Sequence, residues 1–144
     1  MQQSSAGAGK KKLLIVDDEK YITQLLTELL ENEYAVETAN DGIQAFNKLK
    51  SDSFDLMLTD ISMPNLDGIE LLRLARAQLP EMNVVMMSGL ATTENVIDAL
   101  NLGACHFIKK PFKIDDVNNI IKQKMNAAAA GDGASEVDAI MTDI

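Results

Sequence analysis

Five times along this chain, a short strand-like run, apolar or alternating, is followed by a stretch with the 3.6-residue spacing of an amphipathic helix, and that rhythm restricts the available folds more than any other feature. Lys12 to Val16 is the first run, β-branched toward its end. Ile22, Leu25, Leu26, Leu29 and Leu30 then recur at i, i+3, i+4, i+7 and i+8, one face of a helix. Tyr34 to Thr38 alternates as a second strand. Asn40, Asp41 and Gly42 make a turn that can cap a helix carrying Ala45, Phe46 and Leu49. Asp55 to Asp60 is the third strand, and Ser62 to Gly68, with Pro64 and Asn65, is a loop. A helix through Leu71, Leu72 and Ala75 ends near Pro80. Asn83 to Ser88 is the fourth strand. Thr92 and Thr93 open a helix with Val96, Ile97 and Leu100 inward, and Gly103 stops it. Cys105 to Ile108 is the fifth strand, and Val117, Ile120 and Ile121 mark a fifth helix running to about Met125.

Strand and helix in strict alternation predict an α/β fold: a parallel sheet with helices on both faces. Right-handed crossovers leave few topologies, and the expectation is a doubly wound, flavodoxin-like sheet of order 2-1-3-4-5. With 47% apolar residues in 144, one domain can close a core without disulfides or structural metal. That domain is expected over residues 12–126, with a flexible tail over 1–11 and a linker with a short helical segment over 127–144. In that segment Val137, Ile140, Met141 and Ile144 fall at i, i+3, i+4 and i+7. A single cysteine, Cys105, and the lack of a secretory signal point to a reducing cytoplasm. Leu13 to Val16 is too short to span a membrane, and a net charge of −9 argues against direct nucleic-acid binding.

In open α/β sheets, ligands bind beyond the carboxyl ends of the strands. Asp17, Asp18 and Glu19 follow strand one, Asp60 ends strand three, Ser88 ends strand four, and Lys109, Lys110 and Pro111 follow strand five. One edge of the sheet therefore collects three aspartates, a hydroxyl and a lysine. Oxygen-only ligands suit a hard divalent cation such as Mg²⁺. An ionised aspartate beside that cation can act as a nucleophile and accept a phosphoryl group. Ser88 and a lysine are placed to cover phosphoryl oxygens, which is most of what phosphoryl transfer asks of a protein.

The stretches LLIVDDE, LTDISMPNLDG, VVMMSG and FIKKPF resemble the receiver domain of two-component response regulators, over about Lys12 to Met125. The Asp-x-x-Met-Pro-x-x-Asp-Gly run from Asp60 is the most specific part. The resemblance implies that Asp60 is the phosphoacceptor and that Asp18 binds Mg²⁺ directly, with Asp17 acting mainly through water. It further implies that the Ser62 backbone carbonyl is a metal ligand and that Lys110 contacts the phosphoryl group. Ser88 and Phe107 match the switch hydroxyl and the switch aromatic. Lys110-Pro111 is expected to be cis. A histidine kinase or phosphotransfer protein would be the donor, and the face of the fourth helix, fifth strand and fifth helix the output, toward an unknown partner. Such a domain is a signalling switch with intrinsic autophosphorylation and autodephosphorylation, not an enzyme with a separate substrate. The tail SEVDAIM resembles short peptides by which flagellar switch proteins and a chemotaxis phosphatase dock on chemotaxis receivers, which implies docking on that face, in its own chain or a neighbour's; the competing reading is a linker stub from a longer protein.

Other readings compete. An aspartate-nucleophile phosphatase usually has a second aspartate two positions after the first, where this chain has Ser62. A flavin module needs a phosphate loop after strand one, where Asp17, Asp18 and Glu19 would repel the phosphate. A silent interaction scaffold with an unused acid pocket differs from the switch in failing to bind Mg²⁺. Asp60 could also be a plain turn former, Asp17 and Asp18 helix caps, and Phe107 a core residue. Cys105 reads as a buried strand residue, and His106 as a surface one.

Overall fold

The computed structural model describes residues 9–89 and 92–126. Five strands and five helices alternate: β1 (Lys12–Val16), α1 (Lys20–Leu30), β2 (Ala35–Ala39), α2 (Gly42–Ser51), β3 (Leu56–Asp60), α3 (Gly68–Gln78), β4 (Asn83–Ser88), α4 (Thr93–Asn101), β5 (His106–Lys109) and α5 (Ile114–Met125). The strands form one parallel sheet in the order β2-β1-β3-β4-β5, as expected. The stripe of Val137, Ile140, Met141 and Ile144 lies outside the described residues.

Strand β1 explains the layering. Its side chains alternate between faces, so Leu13 and Ile15 point one way and Leu14 and Val16 the other. Leu13 and Ile15 join Leu26 and Leu30 of α1 and Val117, Ile121 and Met125 of α5. Leu14 and Val16 join Ala45 and Leu49 of α2, Leu71, Leu72 and Ala75 of α3, and Val96 and Ala99 of α4. Covered on both faces, a central strand must be apolar throughout, as β1 is from Leu13 to Val16. Each fully buried leucine contributes about 1.5–3 kcal/mol by leaving water.

Three helices start on side-chain caps. Asp41 accepts from the Gln44 N–H (2.8 Å), Asp67 from the Glu70 N–H (2.9 Å) and Thr92 from the Asn95 N–H (3.2 Å). Three strands begin one residue later than expected. The Tyr34 N–H is already used by the exit of α1, donating to Leu30 O (3.0 Å), so pairing with β1 starts at Ala35. Asp55 lies just before β3, its carboxylate accepting from the Lys12 N–H at 2.8 Å. Cys105 bonds Val84 O (2.8 Å) ahead of the β5 ladder, which extends through Lys109 opposite Ser88.

Candidate functional site

Parallel register decides which residues meet at the carboxyl edge. Val16 lies opposite Thr59, so the next residue, Asp17, stands level with Asp60 across the β1–β3 crevice where the strand order reverses. Asp60 lies opposite Met87, which puts Ser88 one residue farther along the neighbouring strand. The Lys110 N–H donates to Ser88 O (2.9 Å), and the Lys110-Pro111 peptide is cis.

Asp17 is fully buried, Asp60 is 5% exposed and Asp18 faces solvent, and one carboxylate oxygen from each lies within 4.8 Å of the others. The Lys110 ammonium sits among them: 2.8 Å from Asp17 Oδ2, 3.4 Å from Asp60 Oδ1 and 3.5 Å from Glu19 Oε1. Asp17 also accepts from the Glu19 N–H through Oδ1 (2.9 Å), tying the pocket to the start of α1. Glu19 is the helix's N-cap residue.

Burial dominates the electrostatics of Asp60. It pushes the carboxyl up from 3.8 to about 6; the Lys110 charge pulls it down, and Asp17 pushes it up again. Asp60 is thus ionised at neutral pH but held at a cost. For Lys110, burial alone would lower the ammonium, yet the bond to Asp17 and the charge of Asp60 outweigh it and raise the pKa. Two buried carboxylates and one lysine leave excess negative charge in a site made of oxygen donors. Asp17, Asp18 and Asp60 therefore suit a hard divalent cation, which also meets the need for charge compensation.

The loop after Asp60 is held close to the strand. Gly68 donates its N–H to Ile61 O (2.8 Å), and a Cβ at Gly68 would lie 2.2 Å from Asp60 O. Only glycine lets α3 begin that close to the phosphoacceptor candidate. Ser62 is exposed on this loop. Ser88 is 1% exposed at the end of β4, and Phe107 is 4% exposed, packed in the cluster that includes Val96 and Ala99 of α4. Asp17, Asp18, Asp60 and Lys110 come together as expected, with Ser88 on the adjoining strand. Phe107 lies inward, beneath α4. The reach of Glu19 to Lys110 was not foreseen, although its place directly after the two aspartates was the available signal.

Among the described residues, no helix is long and apolar enough to cross a membrane. Residues 13–122 match the sequence profile of the response regulator receiver domain. The chain is similar to chemotaxis protein CheY of Bacillus subtilis, 36% identical over 117 residues covering 80% of this chain and 98% of that protein. It is also similar to the alkaline phosphatase synthesis transcriptional regulatory protein PhoP of Bacillus subtilis, at 34% identity over 88% of this chain. It spans only 53% of PhoP's length. Among solved structures, a CheY-like receiver domain protein from Methanospirillum hungatei superposes with a TM-score of 0.78, at 37% identity over 81% of this chain and 94% of the other. Profile, sequence relatives and superposition agree with the strand order and the acidic pocket: the chain belongs to the response regulator receiver domain family.

Proposed function

We propose that residues 12–126 form a phosphorylation switch of a two-component pathway, with Asp60 accepting a phosphoryl group from a histidine kinase or phosphotransfer protein. The observation that carries this reading is the near-burial of Asp60 beside Asp17 and Lys110, with Asp18 close enough to share a cation. Asp17, Asp18, Asp60 and the Ser62 carbonyl would hold Mg²⁺. Bound there, the ion would supply positive charge that offsets the carboxylates and the incoming phosphoryl group.

The chain's own groups do the rest. An Asp60 carboxylate oxygen bonds to phosphorus as the phosphorus–nitrogen bond of phosphohistidine breaks, and the departing imidazole keeps the electron pair. Lys110 pairs with one phosphoryl oxygen, and the Ser88 hydroxyl donates to another. Water later attacks the phosphorus of the acyl phosphate, the bond to the Asp60 oxygen breaks, and inorganic phosphate leaves as Asp60 returns to carboxylate. Once Lys110 and Ser88 turn toward the phosphoryl group, their contacts bias α4, and Phe107 beneath it carries that bias to the face of α4, β5 and α5. The switch would work in the cytoplasm, where Cys105 remains a thiol. Val137, Ile140, Met141 and Ile144 would dock on the same face; deleting residues 134–144 without changing α4 or α5 chemical shifts, phosphorylated or not, would exclude that docking.

The decisive measurement is intact mass after incubation with acetyl phosphate, with and without Mg²⁺, beside Asp60→Asn. A Mg²⁺-dependent adduct on the native chain alone supports the switch. A folded native chain that gains no adduct and takes up no Mg²⁺ in titration would instead be a silent scaffold.

A further inference from the structure

We infer that the start of α2, Asp41 and Gly42 with their partners Asn65 and Leu66, positions the loop that leaves Asp60 and so sets the affinity of the acidic pocket for Mg²⁺. The inference rests on the reading of that pocket as a Mg²⁺ site. It assigns Asp41, Gly42 and Asn65 a positioning role, since none belongs to the carboxylate cluster.

Three constraints hold the loop. At its ends, the Ile61 N–H donates to Met87 O (3.1 Å) and the Gly68 N–H to Ile61 O (2.8 Å). In its middle, the Leu66 N–H donates to Pro64 O (2.9 Å), and Asn65 takes a positive φ of 72°. This middle turn leans on α2. A Cβ built on Gly42 would lie 2.1 Å from Leu66 O and 2.8 Å from Leu66 Cβ, so the backbones meet with no room for a side chain. The two oxygens of Asp41 divide the work: Oδ1 caps α2 through the Gln44 N–H (2.8 Å), and Oδ2 accepts from Asn65 Nδ2 (3.3 Å). One carboxylate thereby joins the helix cap to the loop.

Ser62 stands three residues before Asn65 on this segment. Mg²⁺ demands near-ideal octahedral geometry at about 2.0–2.1 Å, so a backbone ligand on a displaced loop binds poorly. Groups that orient metal ligands are commonly worth about 10–100-fold in affinity. A side chain at Gly42 must push the Leu66 backbone, and that push travels along four residues to Ser62.

Calorimetric Mg²⁺ titration of the full chain tests this, alongside metal-free thermal melts. Gly42→Ala should weaken Mg²⁺ binding about tenfold. Asp41→Ser keeps an oxygen for the Gln44 N–H but has none left for Asn65, and Asn65→Gly keeps the positive φ but lacks the amide. Both should weaken binding several-fold while their metal-free melting temperatures stay near the native one. Because Gly42→Ala can lose affinity simply by destabilising the fold, Asp41→Ser and Asn65→Gly decide the matter. If the native chain binds Mg²⁺ and these two match it, the positioning role is overturned and the site stands. If the native chain binds no more Mg²⁺ than Asp18→Asn does, the site and the positioning role fall together.

Discussion

Two aspartates each face a lysine, at opposite ends of the sheet, and their acidities move in opposite directions. At the carboxyl edge, Asp60 meets Lys110 and its carboxyl rises to about 6. At the amino edge, Asp52 meets Lys12 and its carboxyl falls below the ordinary range, first through that contact and then through the Ser53 N–H. Burial makes the difference. Asp60 is shut away from water with Asp17 for company, whereas Asp52 is exposed and shares Lys12 with Glu37, itself paired with Lys48 at 3.2 Å. A lysine neighbour therefore does not by itself mean a satisfied acid: desolvation and like charge can outweigh it. Other amino-edge contacts close the fold. Lys11 Nζ donates to Met125 O (3.0 Å) and Asn83 Nδ2 to Lys124 O (2.8 Å), fastening the end of α5 to the sheet. One edge holds unbalanced charge; the other is stitched.

The contrast is broken most directly by removing its lysine. Lys110→Ala leaves two buried carboxylates uncompensated and should destabilise the metal-free protein by about 3–5 kcal/mol in urea unfolding at pH 7. Asp52→Asn, which breaks the exposed pair, should cost less than about 1 kcal/mol. Equal losses would mean that burial does not separate the two edges.

Next in size is a gain. The folded pKa of Asp60 lies above 3.8, so its favourable contribution is complete below that pH and is lost as pH rises through about 6. Above that window the ionised residue opposes folding, and Asp60→Asn should be more stable than the native chain by up to about 3 kcal/mol at pH 7.5 without Mg²⁺. Below pH 3.8 the two should unfold alike. Denaturant midpoints across this range check the sign, and an Asn variant that is less stable at pH 7.5 would contradict it. Saturating Mg²⁺ should close the gap by stabilising the native chain, by about 2.7 kcal/mol at a hundred times Kd.

The smallest effects belong to the amino edge. The depressed Asp52 carboxyl contributes stability above its ordinary pKa, and that contribution fades as pH falls through the folded value. Asp52→Asn should thus matter at pH 7 and cease to matter in strong acid. Raising salt to 1 M should shrink its already small effect, because exposed pairs are screened within about 3 Å there, while the Lys110→Ala loss changes little.

Much of this was legible in the chain. The ten elements follow from two periodicities: four strands were placed by apolar runs, and β2 by its alternation. Asp17, Asp18, Asp60, Ser88 and Lys110 were legible because each ends or follows a strand, and parallel strands send those ends to one edge. Strand starts were less so. Tyr34 and Cys105 look like strand residues, but pairing geometry decides whether their backbones join a ladder or finish the preceding helix or turn. The contact of Glu19 with Lys110 escaped because Glu19, the N-cap residue of α1, is exposed, and only the packed structure shows that its side chain turns toward the lysine.

By itself, the sequence determined the α/β alternation, the order of layers and the chemical types gathered at the carboxyl edge, since these depend on local periodicity and on rules of strand connection. Only the tertiary structure decided the state of those groups. The rise of Asp60 depends on how much water β1, β3 and the following loop exclude. The grip of Lys110 on Asp17 rather than Asp60 depends on tenths of an ångström between distant segments, as does the seat of Leu66 on Gly42. Burial and close approach are properties of surfaces brought together, and no residue carries them alone.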